Sequence, residues 1–358
     1  MNICFVLPQM LRKPIGGYKM VYEYANRLSD RGHNIAILFL NDSALNRFKL
    51  PNFLRKELIE IFTQVEPRWF SLNNKVKKYS STNEIVSELD EKFDLAIATG
   101  VDTVEKTIQI FKKAKKAYFI QGYENWVYPD EKIDETFRVG LDNIVIAEWL
   151  KDKVEECSGK TPILIKNPID TSVYKMKQSI EERNPYTIGV LYHSNELKGF
   201  KYAYDAIIQL KQMYPELKIK MFGTSKPDFK LPSWIEFTLN ASKEDTVKIY
   251  NSVSIFLCAT VSEGYGLTGL EAMSCGAVLV STDYDGVKEY AVNEENALLS
   301  PVKNVEALVC NVKKVIEDYN LRKRLSSNGI SRAKNFSWEK AISLFENYIQ
   351  TSCKNREK

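Results

Sequence analysis

Short apolar, β-rich runs alternate with helical stretches along most of this 358-residue chain, and that alternation constrains the fold more than any other feature. In the first half, strands are expected near Ile3–Leu7, Ile35–Leu40, Leu95–Thr99, Ala117–Gln121, Ile144–Ala147 and Ile163–Lys166, with helices near Tyr18–Asp30, Thr103–Lys113 and Glu148–Ser158. The pattern restarts with strands near Thr187–Tyr192, Lys218–Phe222, Ile235–Leu239, Ser254–Cys258 and Val278–Ser281, and helices near Phe200–Met213, Lys243–Asn251, Leu267–Ser274 and Val305–Glu317. Strands separated by helix-length crossovers pair in parallel, with helices on both faces of the sheet. Pro168 and the polar stretch Lys175–Asn184 interrupt the apolar pattern. The expected fold is α/β: two doubly wound parallel-sheet domains, 1–168 and 169–335, facing across a cleft. The tail, 336–358, reads as an amphipathic helix with Trp338, Ile342, Phe345 and Ile349 at helical spacing, crossing back onto the first domain. Ligands of such sheets bind beyond the carboxyl ends of the strands.

One segment at such a position stands out. Residues 262–276 read Ser-Glu-Gly-Tyr-Gly-Leu-Thr-Gly-Leu-Glu-Ala-Met-Ser-Cys-Gly. An apolar run precedes them, so the order is strand, glycine turn, helix. A helix that begins this way directs backbone N–H groups and the positive end of its dipole at whatever lies in front, which suits a diphosphate. Glu263 sits at the turn and Glu271 about two helical turns further in. A carboxylate beside a phosphate site is electrostatically awkward unless it holds something else, such as sugar hydroxyls. The same pattern also fits an ordinary turn with solvated acids.

Further candidates lie at other strand ends. Gly16 and Gly17 follow the first strand and open a helix, allowing a ligand close to the backbone. They lack the full Gly-x-Gly-x-x-Gly spacing of dinucleotide sites, which disfavours hydride transfer. His193 and Lys198 follow the first strand of the second domain, where polar groups line ligand sites in parallel sheets. Gln121, Tyr123 and Glu124 end another strand, where they suit sugar hydroxyls or, equally, a structural aromatic cluster. His33 reads as a turn residue without chemistry.

Net charge is only +4, which gives no sign of a nucleic-acid partner. Between Arg47 and Lys78, however, eight basic residues face three acidic ones, with Phe48, Phe53, Trp69 and Phe70 interleaved. That segment, 47–78, is a candidate contact for an anionic membrane surface, or else a solvated basic loop. No apolar run reaches the length of a membrane span, and no signal peptide is expected ahead of the first strand. Six cysteines without paired spacing and two histidines give no metal motif and fit a reducing cytoplasm.

Together these features resemble the two-domain GT-B glycosyltransferases, whose two domains are Rossmann-like, and specifically the retaining glycosyltransferase family 4. The most specific part is Ser262-Glu-Gly-Tyr-Gly with Leu270-Glu-Ala-Met and Cys275-Gly276, which is similar to that family's paired-glutamate motif. Gly16-Gly17, Lys198-Gly199, Asn167-Pro-Ile-Asp170, Gly286-Val-Lys-Glu289, Asn296-Ala-Leu-Leu and Phe336-Ser-Trp338 support it in the right order. The resemblance implies a nucleotide-sugar donor in the second domain. Glu271 would take the ribose hydroxyls, and Glu263 would sit by the transferred sugar. Lys198, His193 and the backbone of Gly264, Tyr265, Gly266 and Leu267 would meet the diphosphate. Gly16 and Gly17 would close on the donor from the acceptor-side domain, with Gln121, Tyr123 and Glu124 near the acceptor.

The implied reaction moves a sugar to a hydroxyl of a glycan or lipid-linked acceptor, in cell-surface polysaccharide or glycoconjugate synthesis. No cofactor or metal is expected to be required. The location implied is cytoplasmic, with the inner membrane face as a peripheral site. Two departures matter: His193 stands where the family usually has an arginine, and the family's frequent first-domain histidine is replaced by the neighbourhood of Gln121 and Glu124. Gly-Gly-Tyr-Lys and Tyr-Phe-Ile-Gln-Gly-Tyr-Glu are similar to a rhamnosyltransferase-like subset. The competing readings are a catalytically silent sugar-nucleotide-binding subunit and a nucleotide-sugar 2-epimerase.

Overall fold

The computed structural model of the chain describes residues 1–42, 51–83, 86 and 88–354, with side chains to residue 352. It divides into two compact units, Met1–Ile165 with Ile342–Lys358, and Lys166–Ala341.

The first unit is built on seven parallel strands: β1 (Asn2–Leu7), β2 (Asn34–Phe39), β3 (Lys77–Ser80), β4 (Leu95–Ala98), β5 (Lys115–Ile120), β6 (Asp142–Val145) and β7 (Ile163–Leu164). They lie in the order β3-β2-β1-β4-β5-β6-β7. The second has six parallel strands: β8 (Thr187–Tyr192), β9 (Lys218–Gly223), β10 (Ile235–Leu239), β11 (Ile255–Cys258), β12 (Val278–Thr282) and β13 (Ala297–Ser300), in the order β10-β9-β8-β11-β12-β13. Both units therefore start in the middle of the sheet, wind outward one way, and then resume on the other side of the first strand. The reversal falls between β1 and β4 in one unit and between β8 and β11 in the other. At such a switch point the loops leave toward opposite faces, which opens a crevice at the carboxyl ends of those two strands.

The helices in chain order are α1 (Gly16–Asp30), α2 (Asn52–Val65), α3 (Leu89–Lys92), α4 (Val101–Ile110), α5 (Asp130–Arg138), α6 (Glu148–Ser158), α7 (Phe200–Met213), α8 (Lys243–Ser252), α9 (Leu267–Ser274), α10 (Val305–Glu317), α11 (Tyr319–Ala333) and α12 (Trp338–Lys354). The central strands are continuous apolar runs, as strands buried on both faces must be. β3 escapes the sequence pattern because it is a polar edge strand, Lys-Lys-Tyr-Ser, held by one neighbour. β13, a four-residue apolar edge strand, and the polar helices α5 and α11 also escape it.

α12 begins in the second unit and from Ile342 belongs to the first. Ile342, Phe345 and Ile349 are buried, and the Phe345 ring lies 5.2 Å from that of Tyr24 and 6.3 Å from that of Phe5. Glu346 on the same helix pairs with Arg31 at 2.8 Å and receives His33 Nε2 at 3.4 Å, so His33 serves the packing of this helix.

Candidate functional site

The second unit's site is assembled by fastening the loop after β11 onto the loop after β8. The backbone N–H groups of Val261 and Ser262 both donate to the Leu197 carbonyl, at 2.8 and 3.2 Å. Behind that contact Gly199 has φ +64°, and a Cβ there would lie 1.8 Å from the Ala259 carbonyl oxygen. Only glycine lets the two loops approach so closely. The consequence is that Lys198 and Glu263, 65 residues apart in sequence, meet: the Lys198 ammonium donates to Glu263 Oε1. Each side chain keeps 26% of its surface exposed, so the pair sits at the crevice wall with one side open to a ligand.

His193 leaves the end of β8 beside this pair. Its Nδ1 accepts a hydrogen bond from the Asn195 backbone N–H at 3.0 Å, which leaves Nε2 as the protonated nitrogen. Burial first, and then the Lys198 charge, hold the imidazole below its usual pKa near 6.5, with Glu263 partly opposing them. At pH 7 His193 is thus a neutral N–H donor, not a cation.

The turn between β11 and α9 is built as rigidly. Gly266, the residue before α9, has φ +84°, and a Cβ on it would strike the Tyr284 hydroxyl at 1.9 Å. The Tyr290 hydroxyl donates to the Gly266 carbonyl at 2.6 Å. Gly286 packs so tightly that a Cβ there would lie 2.6 Å from the Glu263 carbonyl oxygen. This is the role of the Gly286–Glu289 segment: it backs the turn. Tyr265 is buried with its ring 5.9 Å from that of Tyr290, so its contribution to the crevice is main chain. α9 starts at Leu267 with no side-chain cap on its first turn, an arrangement that favours an anion in front of it.

Glu271 lies deeper, only 7% exposed, and accepts from the Tyr250 hydroxyl at 3.2 Å. The Tyr174 phenol also lies within electrostatic reach of it, with its ring 6.1 Å from that of Tyr250. Neither tyrosine carries a motif. The usable signal was the position of Tyr174 just after the Asn167-Pro-Ile-Asp170 stretch.

In the first unit the corresponding switch point gathers a second group. Gly17, in the first turn of α1, faces the Gln121 amide: a Cβ on Gly17 would be 3.3 Å from Gln121 Nε2. A Cβ on Gly16 would meet nothing within 4 Å. Glu124 Oε1 accepts from the Val101 N–H at the start of α4, at 3.3 Å. Burial pushes the Glu124 carboxyl up to about 7, Val101 opposes this, and Asp102 adds to it. Asp102 itself is raised by burial. Both carboxyls crowd Gly100, within 3.5 Å of where its Cβ would stand.

Asp102 was not singled out in the sequence; a polar residue following Thr99-Gly100 at a strand end was the available clue. Tyr123 is not brought into this group. Its hydroxyl donates to Asp134 on α5 at 3.0 Å, and the Lys153 ammonium lies 5.1 Å over its ring, so it fastens α5 and α6 to the sheet end.

Of segment 47–78, residues 47–50 lie outside the described residues. Trp69 and Phe70 pack against Tyr22, with ring centroids 5.6 and 5.3 Å away. Lys78 donates to the Glu66 carbonyl at 2.7 Å. By contrast, Phe53, Ile61 and Val65 of α2 are exposed.

Residues 174–332 match the family model described as Glycosyl transferases group 1. The matched stretch lies within the second unit and covers less than half of the chain. Over 208 residues, 56% of each protein, the chain is 24% identical to an uncharacterized glycosyltransferase of Methanocaldococcus jannaschii. It is 30% identical over 106 residues to the O-antigen chain mannosyltransferase B of Escherichia coli, covering 30% of this chain and 27% of that one. The chain thus spans about half, or less, of the curated relatives it matches. In structure it superposes on Anabaena Alr3699/HepE, solved in complex with UDP and glucose. The TM-score is 0.73 at 16% identity over 98% of this chain and 99% of that one. The fold is the two-domain GT-B fold. Among the described residues no helix is long and apolar enough to cross a membrane.

Proposed function

We propose that this protein transfers a sugar from a nucleoside-diphosphate sugar to a hydroxyl of a glycan or lipid-linked acceptor, with retention, in cell-surface polysaccharide or glycoconjugate synthesis. The observation that carries this reading is the Lys198–Glu263 pair, fixed at the β8/β11 switch point in front of α9 within the stretch that matches the group 1 glycosyl transferases. A lysine alone there would suit any anion. Paired with a carboxylate, it distinguishes a diphosphate from the neutral, hydroxyl-rich sugar attached to it.

In the reaction the bond between the anomeric carbon and the diphosphate oxygen breaks, and a bond from the acceptor oxygen to the same carbon forms. Negative charge grows on the departing oxygen. Lys198, the neutral Nε2–H of His193 and the start of α9 are preorganised to meet it without a metal. On the same face, that oxygen takes the acceptor's proton, which requires no separate base. Glu263 orients the sugar and stabilises positive charge on its ring. Glu271 accepts hydrogen bonds from the ribose. Glu124 and Gln121 of the first unit lie on the acceptor side. The motifs near Gly17 and Gln121 favour a deoxyhexose such as rhamnose as the transferred sugar. The exposed apolar residues of α2, flanked by Arg55 and Lys56, favour contact with an anionic bilayer in the cytoplasm.

A thermal-shift screen across UDP-, GDP- and ADP-sugars, followed by product analysis with the stabilising donor, tests the proposal. Transfer or slow hydrolysis of one donor supports it. Binding without turnover supports a silent subunit, for which the uncharged His193 is the favouring observation. Release of free nucleotide with an epimerised sugar and no acceptor identifies a 2-epimerase.

A further inference from the structure

Glu271 is buried in a place where a carboxylate needs organised partners, and two phenols from separate elements approach it. Tyr250, fully buried on α8, donates to Glu271 Oε2 at 3.2 Å. Tyr174, in the segment that enters the second unit, brings a second phenol within electrostatic reach of Glu271. The two rings lie 6.1 Å apart. Burial first, and then the charge of Glu271, keep both phenols well above their ordinary pKa, so they remain donors at any physiological pH.

Three elements are fastened to one another around this group. Ser274 on α9 donates to the Tyr174 carbonyl at 2.5 Å. Asn251 on α8 accepts from the Lys177 N–H at 2.6 Å and donates to the Lys175 carbonyl at 3.1 Å. The Arg183 guanidinium donates to the carbonyls of Tyr250, Val253 and Cys275 at 3.0, 2.8 and 2.5 Å. These bonds fix the backbone segments that carry both rings relative to α9.

We propose that Tyr250 and Tyr174 are positioning residues for ribose recognition, fixing the plane of the Glu271 carboxylate so that it meets the sugar's vicinal hydroxyls. This rests on the assignment of Glu271 to the ribose. A carboxylate accepts about four hydrogen bonds, so two phenols do not exhaust it. A carboxylate held in one orientation also loses less freedom on binding than a mobile one.

The test compares the tightest binder among UDP, GDP and ADP with its 2′,3′-dideoxy counterpart, by calorimetry on the full chain. Wild type is expected to prefer the ribonucleotide by about 10-fold or more, the value of a charge-assisted hydrogen bond. Tyr250→Phe and Tyr174→Phe should each weaken ribonucleotide binding about 3–10-fold and leave dideoxynucleotide binding unchanged, so the preference collapses. Equal weakening of both nucleotides, or full discrimination retained in both variants, overturns the proposal. Wild type that binds both nucleotides alike overturns the ribose assignment and the proposal with it. Should one variant fail to fold, the other gives the same reading, since each removes a single oxygen.

Discussion

Replacing Lys198 by Met separates the ion pair seen in the structure from the leaving-group role proposed for the same side chain. In the free protein Lys198 pairs with Glu263, and both are about one quarter exposed. Ion pairs open to water contribute about 0.2–1 kcal/mol to stability, because solvent screens the attraction and ordering two long side chains offsets it. Met preserves the aliphatic stem, so Lys198→Met should lower stability by no more than about 1 kcal/mol. For a unit of this size that is a fall of roughly 2–4 °C in Tm. In the transition state of the proposed reaction the same ammonium would face a diphosphate gaining charge in a partly desolvated crevice. Loss of one preorganised donor there costs about 2.7–4 kcal/mol, or roughly 100–1,000-fold in kcat. The assay is kcat with saturating donor alongside a calorimetric melt of the same preparation. A kcat within threefold of wild type would refute the placement of Lys198 against the leaving group. A Tm drop of 10 °C or more would refute the reasoning differently, by showing that the pair holds the two loops together.

Other outcomes follow from the same geometry. Glu263→Ala should lower kcat at least tenfold while nucleoside-diphosphate affinity by calorimetry changes little, since Glu263 is assigned to the sugar; a parallel loss of nucleotide binding counts against it. Gly199→Ala places a Cβ 1.8 Å from the Ala259 carbonyl at φ +64°. It should cost several kcal/mol and disconnect Lys198 from Glu263, visible as a large Tm loss. Glu124 gives a pH signature. Its folded carboxyl, at about 7, lies above its ordinary value of 4.5, so the folded state binds the proton more tightly than the unfolded chain. Stability from this group is present below pH 4.5 and falls as pH rises through 7, by at most about 3 kcal/mol. Glu124→Gln should flatten that slope between pH 5 and 7.5 in chemical denaturation, and an unchanged slope disproves the assignment.

The carboxyl-end placement of the candidate residues was legible in the sequence because a strand, a turn and a helix each leave a local signature. The apolar runs at β8 and β11, the paired glycines at 16–17 and the spacing of Glu263 and Glu271 needed nothing distant to be recognised. Edge strand β3 was not legible: its burial is one-sided and its residues are polar, so no local pattern marks it. Tyr123 stands at the strand end the pattern marked, and its hydroxyl is taken by Asp134 on a helix that the pattern did not show.

The sequence by itself determined two doubly wound parallel sheets and which loops stand at the carboxyl ends of their strands, because those follow from periodicity and turn residues read over a few positions. Tertiary structure alone decided who meets whom. It joined Lys198 to Glu263 across 65 residues, brought Tyr174 and Tyr250 to Glu271, and crowded Asp102 against Glu124. It also set the charge states, making His193 a neutral donor and Glu124 a carboxyl poised near neutrality. The physical reason is that desolvation and charge–charge coupling depend on neighbours in space, and a one-dimensional pattern does not contain them.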